Sequence, residues 1–438
     1  MITTRERPRE KPPTATRRRL LRHAPLAAGA LLLAVTLVVG HLMRERGGLP
    51  IDAVPPFHTI PRLLVLPMWP AVAYGALMVA VLPRLARARW RRALPLAWVA
   101  AIGWAVSLAA TDGVSRIWTT LTTKYDYLAG LPAVGADPLR WLRGFATHLS
   151  AYPEHVKGHP PLPVLVIWAL DRIGLHGPVP EAALVIAAGC AAVPAVAVTV
   201  RLMSGENAAR RALPFLVLSP MAMFVATSMD ALFLGVTAWS VALIALAAHR
   251  GTRAPRTAAL AGGLLLGAAP YLSYALLTVG ALVVVVLVSA RTSWRMIGWA
   301  AAGALVVPAA MTAGGFWWPD GVFATSGAWA ASAGGNRPYA YFLFGDLAVL
   351  AACLGPAVLA GLGRLRGARA WALPAAALTA VVVLDLVGIT RGEVERIWLP
   401  YAAWMVTATT ALRPPARGWL AAQAATALVM QATLGSPW

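Results

Sequence analysis

Apolar stretches of about 17–23 residues recur along most of the chain, and this spacing limits what it can fold into more than any other feature. At a rise of about 1.5 Å per residue, a helix of about 20 residues crosses a hydrocarbon layer of about 30 Å. A membrane β-barrel would show weakly alternating segments of about ten residues instead, and none are seen. Composition agrees, since 59% of the 438 residues are hydrophobic and 13% are charged. The mean hydropathy is +0.67, and this is more apolar surface than a soluble core of that size needs. The expected fold is all-α, a polytopic membrane helix bundle.

A net charge of +21 invites a nucleic-acid reading, but the placement of the charges argues against it. Arg5, Arg7, Arg9, Lys11, Arg17, Arg18, Arg19 and Arg22 crowd the stretch before the first apolar segment, and Arg84, Arg87, Arg89, Arg91 and Arg92 follow the second. Basic residues collect on the cytoplasmic side of spans, beside anionic headgroups. The first apolar segment has no small-residue cleavage site after it and reads as a retained helix. Cys190 and Cys353 both lie in apolar stretches, as small core residues do, and imply no disulfide or thiolate metal site.

Threading gives spans at 25–43, 63–83, 93–111, 181–200, 212–228, 231–248, 257–271, 273–290, 296–315, 340–361, 370–389, 397–412 and 418–436. That is about 13 crossings, with the N-terminus cytoplasmic. The short apolar stretch 161–175 is read as re-entrant or interfacial, because this keeps every later arginine cluster on the inner side. Of the 17 acidic residues only Glu6, Glu10 and Glu206 then fall inside, and the other 14 face outward. The carboxylates were not used to choose the topology, so their sorting points to a polar cavity on the extracytoplasmic face. Its expected walls are the loop 112–160, the corner Thr227 to Asp230, the segment Phe316 to Tyr339 with Asp320 and Arg337, and the segment Arg391 to Pro400. Within the first, Pro138 to Leu149 reads as a short amphipathic helix with Leu139, Leu142, Phe145 and Leu149 on one face.

Asp112-Gly113 just after a membrane helix, His159-Pro-Pro-Leu162 opening the next apolar segment, and Ser219-Pro220 followed by Ser228-Met-Asp230 together resemble the glycosyltransferase-C superfamily. The resemblance covers about residues 95 to 400. A closer resemblance, through Gly392-Glu-Val-Glu-Arg-Ile-Trp-Leu-Pro400, is to actinobacterial integral membrane proteins. Two departures stand out: two additional helices precede the helix that leads into the long loop, and no adjacent acidic pair occurs in it. The resemblance implies a GT-C fold and an inverting glycosyltransferase, working in cell-envelope glycan assembly. It implies transfer of a hexose or pentose, such as mannose or arabinofuranose, from a polyprenyl-phosphate donor to a glycan or lipid acceptor hydroxyl. The implied organisation is a basic tail at 1–24, two N-terminal helices at 25–92 and a transferase-like domain at 93–436.

That chemistry needs a carboxylate to take the acceptor proton. Asp112, at a helix end by the membrane surface, is the first candidate, and Asp126 in Lys124-Tyr-Asp-Tyr127 is the second. A departing lipid phosphate needs cations or backbone donors, for which Lys157, Arg337 and Arg396 are the candidates. Tyr127, His155, His159, Asp230, Asp320, Tyr339, Glu393 and Glu395 complete the expected substrate-binding set. Arg396 is also read as an ion-pair scaffold with Glu393 or Asp230. His155 and His159 are four apart, but Gly158, Pro160 and Pro161 disfavour a helix there, and no His-Glu-x-x-His pattern exists. The sequence assigns no cofactor, and a divalent Mg, Mn or Ca ion on outer carboxylates such as Asp112 and Asp230 stays open. The rival reading is a secondary transporter or lipid-linked-sugar flippase, with Asp346 and Asp385 as relay groups.

Overall fold

The structure, a computed structural model, describes residues 15–49, 51, 53–63, 66–226, 228–249, 253–414 and 416–435. The basic tail as far as Lys11, and Thr227 of the expected corner, lie outside the described residues. Three long helices come first, α1 (Ala15–Glu45), α2 (Trp69–Leu85) and α3 (Trp90–Ala109). The loop after α3 is made of short turns, among them α4 (Arg116–Thr119), α5 (Leu131–Val134), α6 (Pro138–Gly144) and α7 (Glu154–Lys157). The chain continues through α8 (Leu162–Arg172), α9 (Pro178–Cys190), α10 (Ala192–Ser204), α11 (Glu206–Val217), α12 (Asp230–Ala248) and α13 (Pro255–Leu272). It closes with α14 (Gly280–Ser289), α15 (Trp294–Ala313), α16 (Trp318–Ala330), α17 (Tyr339–Leu362), α18 (Ala368–Val387), α19 (Val394–Ile397), α20 (Leu399–Met405) and α21 (Arg417–Thr433). Among the described residues the only sheet is a clasp of two-residue strands, β1 (Ile60–Pro61) antiparallel to β2 (Leu434–Gly435).

The all-helical expectation therefore holds. Eight stretches among the described residues are long and apolar enough to cross a membrane. They are Leu21–Glu45, Leu66–Leu85, Trp90–Asp112, Pro178–Ser204, Asp230–Ala248, Trp294–Ala313, Tyr339–Leu362 and Arg369–Val387. The other five expected crossings are shorter, broken or less apolar helices. Pro220 turns the chain after α11 into a 3-10 segment, Ser273 ends α13, and a 3-10 run, Val406–Ala411, replaces the end of α20. The stretch 161–175 folds as α8, whose 11 residues are too short to cross on their own.

Two local expectations need correction. The helix expected over 138–149 stops at Gly144, and Leu139 points outward at 55% exposure while Leu142, Phe145 and Leu149 are buried. The Gly144 position and the turn that follows it, where His148 N–H bonds back to the Gly144 carbonyl, end the regular pattern. Conversely, the segment expected not to be helical forms the single turn α7, because the breakers Gly158 and Pro160 lie beyond its last residue.

Small residues allow the tightest helix contacts, as is usual where apolar helices associate without a hydrophobic driving force. Gly263 and Gly267 on α13 lie against the Ala300 and Ala304 carbonyls of α15, and Gly303 of α15 lies against Leu260 of α13. The N-terminal helices join the bundle, α1 packing along α17 and α2 against α3 and α21. Inside α17 the helix is interrupted at Gly355 (φ 75°), which precedes Pro356. The broken turn is repaired from α21. Gln423 donates Nε2–H to the Leu354 carbonyl at 2.9 Å and accepts the Ala357 N–H at 3.0 Å, so both freed backbone groups are satisfied.

Candidate active site

The two halves of the sequence meet around Arg396. Its guanidinium donates to Asp230 at 2.8 Å and to Glu393 at 2.6 Å, and Asp230 and Arg396 are both buried. Asp230 also accepts the Ser228 hydroxyl at 2.6 Å, while its own N–H bonds back to that oxygen at 3.1 Å, which fixes the carboxylate at the start of α12. Arg396 thus makes both of the ion pairs expected for it.

Glu393 sits in a left-handed conformation (φ 64°) between two arginines, a backbone state that costs energy for a non-glycine residue and needs surrounding contacts to hold it. Besides Arg396 it takes Arg337 at 3.3 Å. Burial opposes its charge, but Arg396, His58 and Arg337 outweigh burial and hold the carboxyl well below the usual range. For Arg396, Asp230 and Glu393 likewise outweigh burial and raise its affinity for the proton. Arg337 donates to the Arg391 carbonyl at 2.6 Å and lies 3.3 Å from His58 Nδ1, while its Nε is buried without a partner. Burial, against the pull of Glu393, lowers the pKa of His58.

The loop after α3 supplies the opposite wall. Asp126 is buried, and one oxygen caps the next turn by accepting the Tyr127 N–H at 2.7 Å. The other lies 3.5 Å from His155 Nδ1. The Tyr127 ring is flanked by His155 and His159, with centroids at 5.9 and 5.6 Å. Burial raises the Tyr127 phenol well above its ordinary value, and Asp230, Arg396, Asp126 and Glu181 all act on it. His159 Nδ1 is 2.8 Å from the His155 carbonyl, so that nitrogen carries the proton. Burial, against the pull of Asp230, pushes the His159 pKa down to about 4.

The expected site residues therefore fall into two groups. Asp126, Tyr127, His155, His159, Asp230, Arg337, Glu393 and Arg396 gather around one charged centre. Glu395 lies beside it, accepting the His58 N–H at 3.0 Å with its second oxygen buried and unpartnered, and burial pushes its pKa up to about 7. The remainder stand in other surroundings. Asp112 is ion-paired with Arg62, which also donates to the Gln431 carbonyl. Lys157 pairs with Glu154 at 3.1 Å, Asp320 is exposed in the first turn of α16, and the Tyr339 hydroxyl donates to the Leu386 carbonyl. Ser219 of the Ser-Pro motif instead lines a small apolar cavity with Cys190. No group of three or more His, Cys, Asp or Glu among the described residues is arranged to hold a metal ion, and Asp112 and Asp230 are each taken by an arginine.

Sequence reasoning missed His58, Glu181 and Arg391. Arg391 donates to the Gly335 and Arg337 carbonyls, both at 3.0 Å, and so ties the Arg337 loop to the Glu393 loop. Glu181, in the first turn of α9, is 1% exposed with both oxygens unpartnered, and Asp126 is its charged neighbour. A lone acid inside a long apolar segment is the signal that could have singled it out.

No family profile and no curated protein matches this chain. Among solved structures it is similar to ArnT from Cupriavidus metallidurans bound to undecaprenyl phosphate, with a TM-score of 0.46 and 17% identity. It is also similar to the apo state of that protein, with a TM-score of 0.42 and 18% identity. Each match covers 73% of this chain and 62% of the other, so this chain spans less than two thirds of the ArnT length.

Proposed function

We propose that this protein is a membrane glycosyltransferase that moves a sugar from a polyprenyl-phosphate donor to an acceptor hydroxyl, with the site on the extracytoplasmic face. The carrying observation is the juxtaposition of the buried Asp126 and the half-buried His155 with an arginine centre, Arg337 and Arg396, from distant segments of the chain. Attack on an anomeric carbon needs a base on one side and charge stabilisation for the departing phosphate on the other. Asp126 and His155 suit the first need, and the unpartnered Nε–H of Arg337 suits the second. Tyr127 provides an aromatic wall, and neutral His159 offers Nε2 as a hydrogen-bond acceptor to sugar hydroxyls. The acceptor oxygen bonds to the anomeric carbon while the carbon–phosphate-oxygen bond breaks. The phosphate leaves with the electron pair, and the configuration inverts. The sequence resemblance to the glycosyltransferase-C superfamily supports the same reading.

Asp126 is preferred to Asp112 as the carboxylate on the base side of the site because Arg62 occupies Asp112. The test is transfer by the purified full-length protein in proteoliposomes, using a panel of polyprenyl-phosphate sugars and polyol acceptors. Sugar transfer that is lost in Asp126→Asn is expected. Movement of the intact lipid-linked sugar between leaflets without transfer would establish the flippase instead.

A further inference from the structure

We propose that His155, not a carboxylate, takes the proton from the acceptor hydroxyl, with Asp126 behind it fixing the ring. This rests on the transferase reading above and names its base. Both oxygens of Asp126 are directed within the protein, one to the Tyr127 N–H at 2.7 Å and the other towards His155 Nδ1 at 3.5 Å. The Asp126 side chain is 5% exposed and that of His155 is 16% exposed, so the imidazole is the more accessible member of the pair.

His155 is also held in place. Its N–H donates to the Tyr125 carbonyl at 2.9 Å, its carbonyl accepts His159 Nδ1–H at 2.8 Å, and its ring packs on Tyr127. The charged groups around it come from each neighbouring segment: Asp126 from the loop turn, His159 beyond α7, and Glu393 from the Arg396 centre. On its own turn, Glu154 and Lys157 are engaged with each other. The ring lies near enough to Glu393 to act on its charge, which puts it on the side of Asp126 that faces the arginine centre.

With Nδ1–H turned to Asp126, Nε2 carries the lone pair. As the acceptor oxygen bonds to the anomeric carbon, its hydrogen passes to Nε2. The phosphate departs with the bonding electrons, and the ionised Asp126 stabilises the imidazolium until it releases the proton to water. A carboxylate that orients and stabilises a histidine base is a well-understood arrangement. Apo geometry longer than a hydrogen bond is compatible with it, because such contacts tighten in the reacting complex.

The test has two arms on the full-length protein. His155→Asn keeps an amide donor towards Asp126 but lacks Nε2, and should lower turnover about 10²–10⁴-fold, the range for losing a general base. His155→Ala should be inactive alone and regain transfer with added imidazole, which a purely packing role would not allow. Transfer by His155→Asn at the wild-type rate would overturn the proposal. The second arm needs no substrate: nitrogen NMR of histidine-labelled protein should place the His155 proton on Nδ1, and Asp126→Asn should shift that resonance. A proton on Nε2 in the wild type would overturn the dyad even if transfer is observed. Wild-type protein that transfers from no donor would overturn the transferase reading itself, and the tautomer would still decide the dyad.

Discussion

Arg396 is the residue on which most depends, because it is the counter-charge shared by two carboxylates, Asp230 and Glu393. Breaking a buried pair by removing one partner leaves an uncompensated charge and costs about 3–5 kcal/mol. Arg396→Ala should therefore lower the melting temperature in detergent sharply, and Arg396→Ala with Asp230→Asn should recover part of the loss, which thermal unfolding of the single and double variants will read. His159 and Glu395 give a second, pH-dependent test. The His159 pKa is lowered to about 4, so its neutral form favours folding above the ordinary value near 6.5, and that contribution is lost as pH falls from there to about 4. Glu395 is raised from 4.5 to about 7, so the unfolded chain gives up this proton first and stability falls as pH rises through that window. The two slopes oppose each other between about 4.5 and 6.5. His159→Asn should therefore gain stability on acidification relative to wild type, and Glu395→Gln should lose it, both measured as melting temperature against pH.

At the scale of elements, helix breaks are tolerated where another helix repairs them. The Gly355 break in α17 depends on the Gln423 amide. Gln423→Leu leaves one buried carbonyl and one buried N–H without partners, at about 1–3 kcal/mol each, and should raise protease sensitivity near residue 355 while α13 and α15 stay packed. Helix existence was legible in the sequence because long apolar runs are a strong signal, and α3, α12 and α17 lie where the hydropathy put them. Helix ends were less legible. The stop at Gly144 and the single turn at Glu154 depend on tertiary contacts, such as the bond from His155 N–H to the Tyr125 carbonyl, that a periodicity cannot contain. The same holds for the candidate site. Outer carboxylates and arginines were readable as a set, and the Arg396 pairings were foreseen, but the partner of Asp112 was not, because Arg62 lies 50 residues away in a segment without a motif.

For the whole molecule, that Arg62 contact suggests a division between holding the bundle together and doing chemistry in it. Arg62 joins Asp112 after α3 to the Gln431 carbonyl of α21, beside the β1–β2 clasp, so one side chain ties the early, middle and last parts of the chain. Both members of the pair are about four-fifths buried, at 18% and 21% side-chain exposure, so the ion pair is partly screened and is worth about 1 kcal/mol, with the carbonyl bonds adding to it. Asp126 has no such load, and its contacts are with the adjacent Tyr127 N–H and with His155. The two acids should therefore fail in different ways. Asp112→Asn, and equally Arg62→Ala, should lower the melting temperature by a few degrees and leave the turnover of folded protein within about threefold of wild type, whereas Asp126→Asn should keep its melting temperature and lose at least about 10²-fold in turnover. Thermal unfolding and transfer rate measured on the same preparations separate the two roles. An Asp112→Asn variant that melts like wild type yet transfers nothing would move the chemistry back to the end of α3.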